Sequence, residues 1–185
     1  IGHLNLGKAD VMGYSLGSGV ALQTDIRHPD VVDRLVLVSA AMRQDGFYPE
    51  GVAAFKQLEA NAATLGGSVK ASPLGQTYPG VDWIDLFRKV GDLTKRPFDW
   101  SAEIARLQPR TLLVYADADA IRPEHEVEFW KALGGGQRDA GIDGSQRPAN
   151  QLAIVPDTTH YTIPVDPMLP EIVGRFLGGA LKAER

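Results

Sequence analysis

Four short stretches of the chain are apolar at nearly every position: residues 11–14 (Val-Met-Gly-Tyr), 35–38 (Leu-Val-Leu-Val), 110–115 (Arg-Thr-Leu-Leu-Val-Tyr) and 152–155 (Leu-Ala-Ile-Val). Each is predicted to be a strand; 11–14 is short and buried, and the continuous run 35–38 is typical of a strand covered on both faces. Between and after them the apolar positions recur at helical spacing. One helix is predicted over 16–27, stopped by His28-Pro29-Asp30. A second is predicted over 123–133, with Pro123 near its first position, acidic residues in its first turn and Gly134-Gly135-Gly136 at its end. A third spans 170–181, with Ile172, Val173, Phe176 and Leu177 on its inner side. The order β-α-β-insertion-β-α-β-α implies an α/β fold: parallel strands joined by right-handed crossovers, with flanking helices.

Residues 42–108 have a different texture. Helical spacing is predicted over 52–65 and over 81–90, the latter placing Trp83, Ile84 and Phe87 on one face. Gly66-Gly67 and Pro73-Leu74-Gly75 punctuate the segment, and Asp99 or Ser101 is a candidate cap for a further helix. With no convincing strand in so long a stretch, it reads as a helical insertion between two sheet strands. The chain thus divides into core (1–41), insertion (42–108) and core (109–185). Six aromatics at its edges and within it (Phe47, Tyr48, Trp83, Phe87, Phe98 and Trp100) either line an apolar pocket or are simple core. Residues 137–150, polar and Gly-rich, read as a surface excursion.

Composition narrows the function classes. The 185 residues, 44% hydrophobic and 23% charged, suit a soluble domain with a substantial core. A formal charge of −4 gives no electrostatic reason to expect nucleic acid or an anionic membrane as partner. No apolar run reaches the length of a membrane span, so a cytoplasmic location is the default expectation. The absence of cysteine excludes disulfides and thiolate metal sites. Neither Gly-x-Gly-x-x-Gly nor a Gly-Lys-Ser/Thr phosphate loop is present, and no cofactor or metal is expected. The chain opens on Ile1, within a stretch patterned like the end of an amphipathic helix. It reads as the carboxyl-terminal part of something longer. Were Ile1 the true start, the first strand would be an unpaired sheet edge prone to self-association.

Sites in parallel α/β sheets lie beyond the carboxyl ends of the strands. After the first strand comes Gly13-Tyr14-Ser15-Leu16-Gly17, a strand-to-helix turn so tight that its apex, Ser15, is strained and its hydroxyl projects beyond the sheet. Gly13 and Gly17 are expected to lack the Cβ atoms that would collide there. The free N–H of Leu16 at the helix start could stabilise an oxyanion. After the third strand come Asp117 and Asp119, and after the fourth, Asp157 and His160. A serine hydroxyl needs a neighbouring base, imidazole can take and return its proton, and a carboxylate behind the imidazole holds the tautomer. His160 is favoured as base over His3, His28 and His125, none of which leaves the carboxyl end of a strand. Asp117 and Asp119 compete as the acid. The end of the second strand, Ser39-Ala40-Ala41, offers no carboxylate before Asp45.

Over nearly its whole length the chain resembles the α/β-hydrolase family. Gly13-Tyr14-Ser15-Leu16-Gly17 is similar to the nucleophile elbow. The stretch 117–123 resembles the Gly-Asp-x-Asp-x-x-x-Pro turn, with Ala116 in place of the leading glycine, and implies Asp119 as the acid. Thr159-His160-Tyr161 resembles the histidine loop, with Pro156-Asp157 where Pro-Gly is more usual. The insertion occupies the family's cap position. The resemblance implies a partial α/β-hydrolase fold, because family members carry about four further strands and two helices before this point, including a His-Gly loop that supplies a second oxyanion donor. It implies a serine hydrolase acting on a small acyl substrate, with Ser15, His160 and Asp119 as triad. Serine at the elbow argues against the dehalogenase and epoxide hydrolase chemistry that the family performs with aspartate. Carbon–carbon, thioester and amide cleavage stay open, as does a non-catalytic, truncated binding module.

Overall fold

The computed structural model describes residues 1–178. Strands β1 (Ala9–Tyr14), β2 (Val32–Val38), β3 (Arg110–Ala118) and β4 (Gln151–Thr159) form one sheet in the order β1-β2-β3-β4, every pairing parallel. Helix α1 (Leu16–Arg27) connects β1 to β2. Between β2 and β3 lie α2 (Pro49–Lys56), α3 (Ala62–Ala71), α4 (Pro73–Thr77), α5 (Trp83–Thr94) and α6 (Ser101–Ile104). Helix α7 (Pro123–Ala132) connects β3 to β4, and α8 (Met168–Phe176) follows.

The apolar runs of the two central strands, β2 and β3, are buried on both faces, whereas β1 and β4 leave Met12 and Ile154 about half exposed. Val36, Val38, Leu112 and Val114 form one buried face with Val155 and the α8 residues Leu169 and Phe176. Leu35, Leu37, Leu113 and Tyr115 point the other way by the two-residue repeat and are equally buried. Helix α8 ends at Phe176, and positions 179–181 of the predicted closing helix lie outside the described residues. Residues 137–150 contain no helix or strand, as the composition predicts. Asn150 ties their end down by accepting from Thr111 N–H and donating to Leu133 C=O.

The chain forms two compact units, Ile1–Gly46 with Asp99 onward, and Phe47–Phe98. The insertion is therefore shorter than residues 42–108. Residues 42–46 and 99–108 cluster with the sheet because their polar groups are spent there. Met42 N–H donates to His125 Nε2 (3.1 Å), Trp100 N–H to Met42 C=O (2.9 Å), and Ile104 is buried. Trp100 is half-buried and lies beside Gly19 of α1.

Within Phe47–Phe98 the single helix expected over 52–65 is two helices with a turn over 57–61. Helix α5 passes close to the turn: a Cβ on Gly91 would lie 2.5 Å from Glu59 N. The predicted helix over 81–90 is α5, capped by Asp82, which accepts from Asp85 N–H. Phe47 packs edge-on against Phe55 with ring centroids 5.0 Å apart. At the start of the chain, Gly2–Leu4 is a single 3₁₀ turn rather than the end of an α-helix.

Candidate active site

Pairing of Tyr14 with Val38 and of Val38 with Val114 brings the ends of β1 and β2 level with Val114, from which β3 runs on to Ala118. Ser15 N–H bonds Val38 C=O (2.9 Å), and Ser39 N–H bonds Val114 C=O (2.8 Å). Ser15 is the last residue before α1, where serine usually folds its hydroxyl back onto the helix amides. Here it does not. Its backbone sits at φ 52°, ψ −120°, and its side chain makes no cap bond. The hydroxyl instead lies 2.9 Å from His160 Nε2. Such a conformation is strained for a residue with a Cβ, and it is held by the strand behind and the helix ahead. Gly13 is required: its missing Cβ would fall on the Gly17 carbonyl. Gly17 is not. A Cβ there meets open space, so of the two expected steric glycines only the first has that role.

His160, 8% exposed, follows β4. Its Nδ1 lies 2.8 Å from Asp119 Oδ1. Asp119 Oδ2 accepts from Ser39 Oγ (2.5 Å) and Ala116 N–H (3.0 Å), while Oδ1 also accepts from Ala120 N–H (2.7 Å). Burial pushes this carboxyl up, but the hydrogen bonds from His160, Ser39 and Ala116 outweigh it and hold Asp119 below the usual carboxylate range. An ionised carboxylate can pair with Nδ1 only when that nitrogen carries the hydrogen, the tautomer in which Nε2 is free to accept from Ser15.

The chain thus brings Ser15, His160 and Asp119 together, with Leu16 as the first residue of α1 and its amide among those without an intrahelical acceptor. Asp117, the rival acid, faces elsewhere and accepts from Asp157 and Thr158 N–H (3.1 Å each). His125 is fully buried under Met42, and burial, then Arg43, lowers it to about 4. His3 and His28 are exposed.

Two contacts escape a reading by motif. Ser39, at φ 53°, donates to Asp119 from the strand end where the sequence shows no carboxylate. Tyr14 donates its hydroxyl to His160 C=O (2.5 Å). Burial, then the charges of Asp119 and Tyr161, raise the Tyr14 phenol, which therefore stays a donor. Only the unusual position of Ser39 and the variable slot of Gly-x-Ser-x-Gly hinted at either. Neither of two surface grooves, about 500 and about 550 Å³, involves these residues. One is lined by Arg88, Asp92 and their neighbours on α5, the other by Lys8, Arg34 and Arg110 at the amino ends of the strands.

A parallel sheet with a strained serine between β1 and α1, facing an imidazole carried past β4, has the architecture of an α/β hydrolase. The model of the alpha/beta hydrolase family matches residues 1–170, and the chain belongs to that family. An uncharacterized protein of Mycobacterium tuberculosis (strain ATCC 25618 / H37Rv) is 27% identical over 206 residues, covering 98% of this chain and 59% of the relative. The chain therefore spans well under two thirds of the length of that curated relative. Among solved structures, MGS-M2, an alpha/beta hydrolase enzyme from a Medee basin deep-sea metagenome library, is 20% identical with a TM-score of 0.66, over 97% of this chain and 68% of that one. Carboxylesterase CesB from Bacillus subtilis is likewise 20% identical, with a TM-score of 0.61 over 95% and 62% of the two chains. At these identities the likeness is one of fold. No helix among the described residues is long and apolar enough to cross a membrane.

Proposed function

We propose that this chain carries the catalytic centre of a serine hydrolase that cleaves a carboxylic ester or related acyl compound through an acyl-enzyme. The observation that carries the reading is the unbroken line from Ser15 Oγ to His160 Nε2 (2.9 Å) and from His160 Nδ1 to Asp119 Oδ1 (2.8 Å). In the first half-reaction Ser15 Oγ bonds to the acyl carbon while its proton passes to His160 Nε2, and negative charge gathers on the former carbonyl oxygen. Leu16 N–H, at the start of α1, is the donor this chain offers to that oxyanion. The bond to the leaving alcohol then breaks, and His160 returns the proton to its oxygen. Water repeats the sequence on the acyl-enzyme and releases the acid. Asp119 stays ionised throughout and stabilises the imidazolium. An ester substrate also agrees with the carboxylesterase among the structures of like fold.

Fluorophosphonate labelling followed by peptide mapping tests this. A covalent adduct is expected on Ser15, lost in Ser15→Ala. A folded protein that takes no label at Ser15 would leave a non-catalytic binding role as the better account. Rates on an ester panel run beside a diketone substrate then separate ester from carbon–carbon cleavage, the ester panel being expected to turn over faster.

A further inference from the structure

The sheet ladder between β3 and β4 breaks just before His160. Ala116 pairs with Val155 and Ala118 with Thr159, so two residue steps on β3 face four on β4. Pro156, Asp157 and Thr158 bulge out opposite the single residue Asp117. A bulge of this size forfeits ladder hydrogen bonds and re-aims whatever follows it. Two of its backbone donors are nonetheless paired. The two carboxylate oxygens of Asp117 accept one each, Oδ2 from Asp157 N–H and Oδ1 from Thr158 N–H, both at 3.1 Å. Asp157 sits at φ 57°, left-handed backbone that favours glycine. Thr158 is buried and donates its hydroxyl back to Val155 C=O (2.8 Å). Two residues on, His160 has its own carbonyl held by Tyr14 Oη.

We propose that Asp117 is a positioning residue: its carboxylate replaces the missing ladder acceptors, clamps the strained bulge over 156–158, and thereby sets the imidazole of His160 between Ser15 and Asp119. The two carboxylates of the Asp-x-Asp turn then act on the same histidine by different routes, Asp119 on its ring and Asp117 on the backbone that carries it. The clamp itself is a matter of structure, while its effect on turnover rests on the hydrolase reading above.

Both parts are tested in the full chain. Amide hydrogen exchange over 156–161 is expected to quicken at least tenfold in Asp117→Ala relative to the parent, with the melting of the remaining sheet cooperative. If the parent labels at Ser15, ester kcat is expected to fall 10- to 100-fold in that variant while KM stays within about twofold, the signature of a displaced reacting group. Adding Asp157→Gly, which removes the left-handed strain, is expected to recover at least threefold of the lost kcat. Should Asp117→Ala fail to fold, Asp117→Asn retains one acceptor, and a smaller loss, about three- to tenfold, is expected there. Unchanged exchange over 156–161 overturns the clamp, whatever the activity. Faster exchange with kcat within twofold of the parent overturns its link to the histidine, as does a loss that Asp157→Gly leaves untouched. A parent that takes no label at Ser15 counts against the hydrolase reading instead, and the exchange result still decides the clamp.

Discussion

The two units of this chain bury different kinds of side chain. In the sheet unit Leu22, Leu35, Leu37, Leu113, Tyr115 and Phe129 are all fully buried. In Phe47–Phe98 the buried residues are Ala62, Gly66, Gly75 and Gly91, while Leu74, Leu86 and Leu93 stand substantially exposed. Large side chains packed on both faces of a sheet make a stiff scaffold, since each is held by neighbours from several elements. Helices that meet through glycine and alanine approach closely but bury little apolar area, and low-density regions open more readily. Ser15, Asp119 and His160 all belong to the stiff unit. A hydrogen-bond line good to a few tenths of an ångström needs that stiffness; a segment of half-buried leucines does not supply it.

That contrast can be broken at several points. The largest effect is expected at Ser15→Ala, where ester turnover falls by 10⁴-fold or more. Melting should hold or rise, because removing the hydroxyl costs the scaffold nothing; a cooperative transition moved down by more than a few degrees would show the serine to be structural. Next, Leu113→Ala should cost about 2–5 kcal/mol in denaturant unfolding, whereas Leu86→Ala stays within about 0.5 kcal/mol. Equal costs would remove the distinction between the two units.

The third test is pH dependence. Burial, then the charges of Asp119 and Glu124, raise Glu126 to about 8, so the folded chain keeps a proton that the unfolded chain releases near 4.5. The native state binds more protons across that window, and stability falls as pH rises through it. Glu126→Gln is therefore expected to gain on the parent by on the order of 2 kcal/mol between pH 5 and pH 8.5. Parallel stability curves would mean that the carboxyl is ionised in the fold. Smallest is Ser39→Ala. Asp119 loses one donor of several, and kcat/KM should drop about tenfold with little change in melting; no change would make the Ser39 contact incidental to the site.

How far the residues alone foretold this differs by element. The two central strands, β2 and β3, were legible because their apolar runs are buried on both faces; β1 and β4 were legible as short apolar runs although Met12 and Ile154 stand about half exposed. The turn at Ser15 was legible because Gly-x-Ser-x-Gly between a strand and a helix leaves few other conformations. The break between α2 and α3 was not, since alanine-rich helical spacing continues through it; only the fold shows that Gly91 of α5 lies against Glu59 there. Tyr14 and Ser39 escaped notice for the same kind of reason: nothing in either residue's neighbourhood along the chain says that its hydroxyl meets a group 146 or 80 positions away.

Local order was thus written into the chain itself: which stretches are strands, where they turn into helices, and that a serine, two aspartates and a histidine leave the same edge. Those features depend on residues within a few positions of one another, where propensity and periodicity act. Resemblance favoured Asp119 as the acid, but that Asp119 meets the imidazole ring while Asp117 accepts from the bulge behind it became visible only when β3 and β4 paired. The two carboxylates are chemically identical and two residues apart, so only the register of the neighbouring strand gives each its partner.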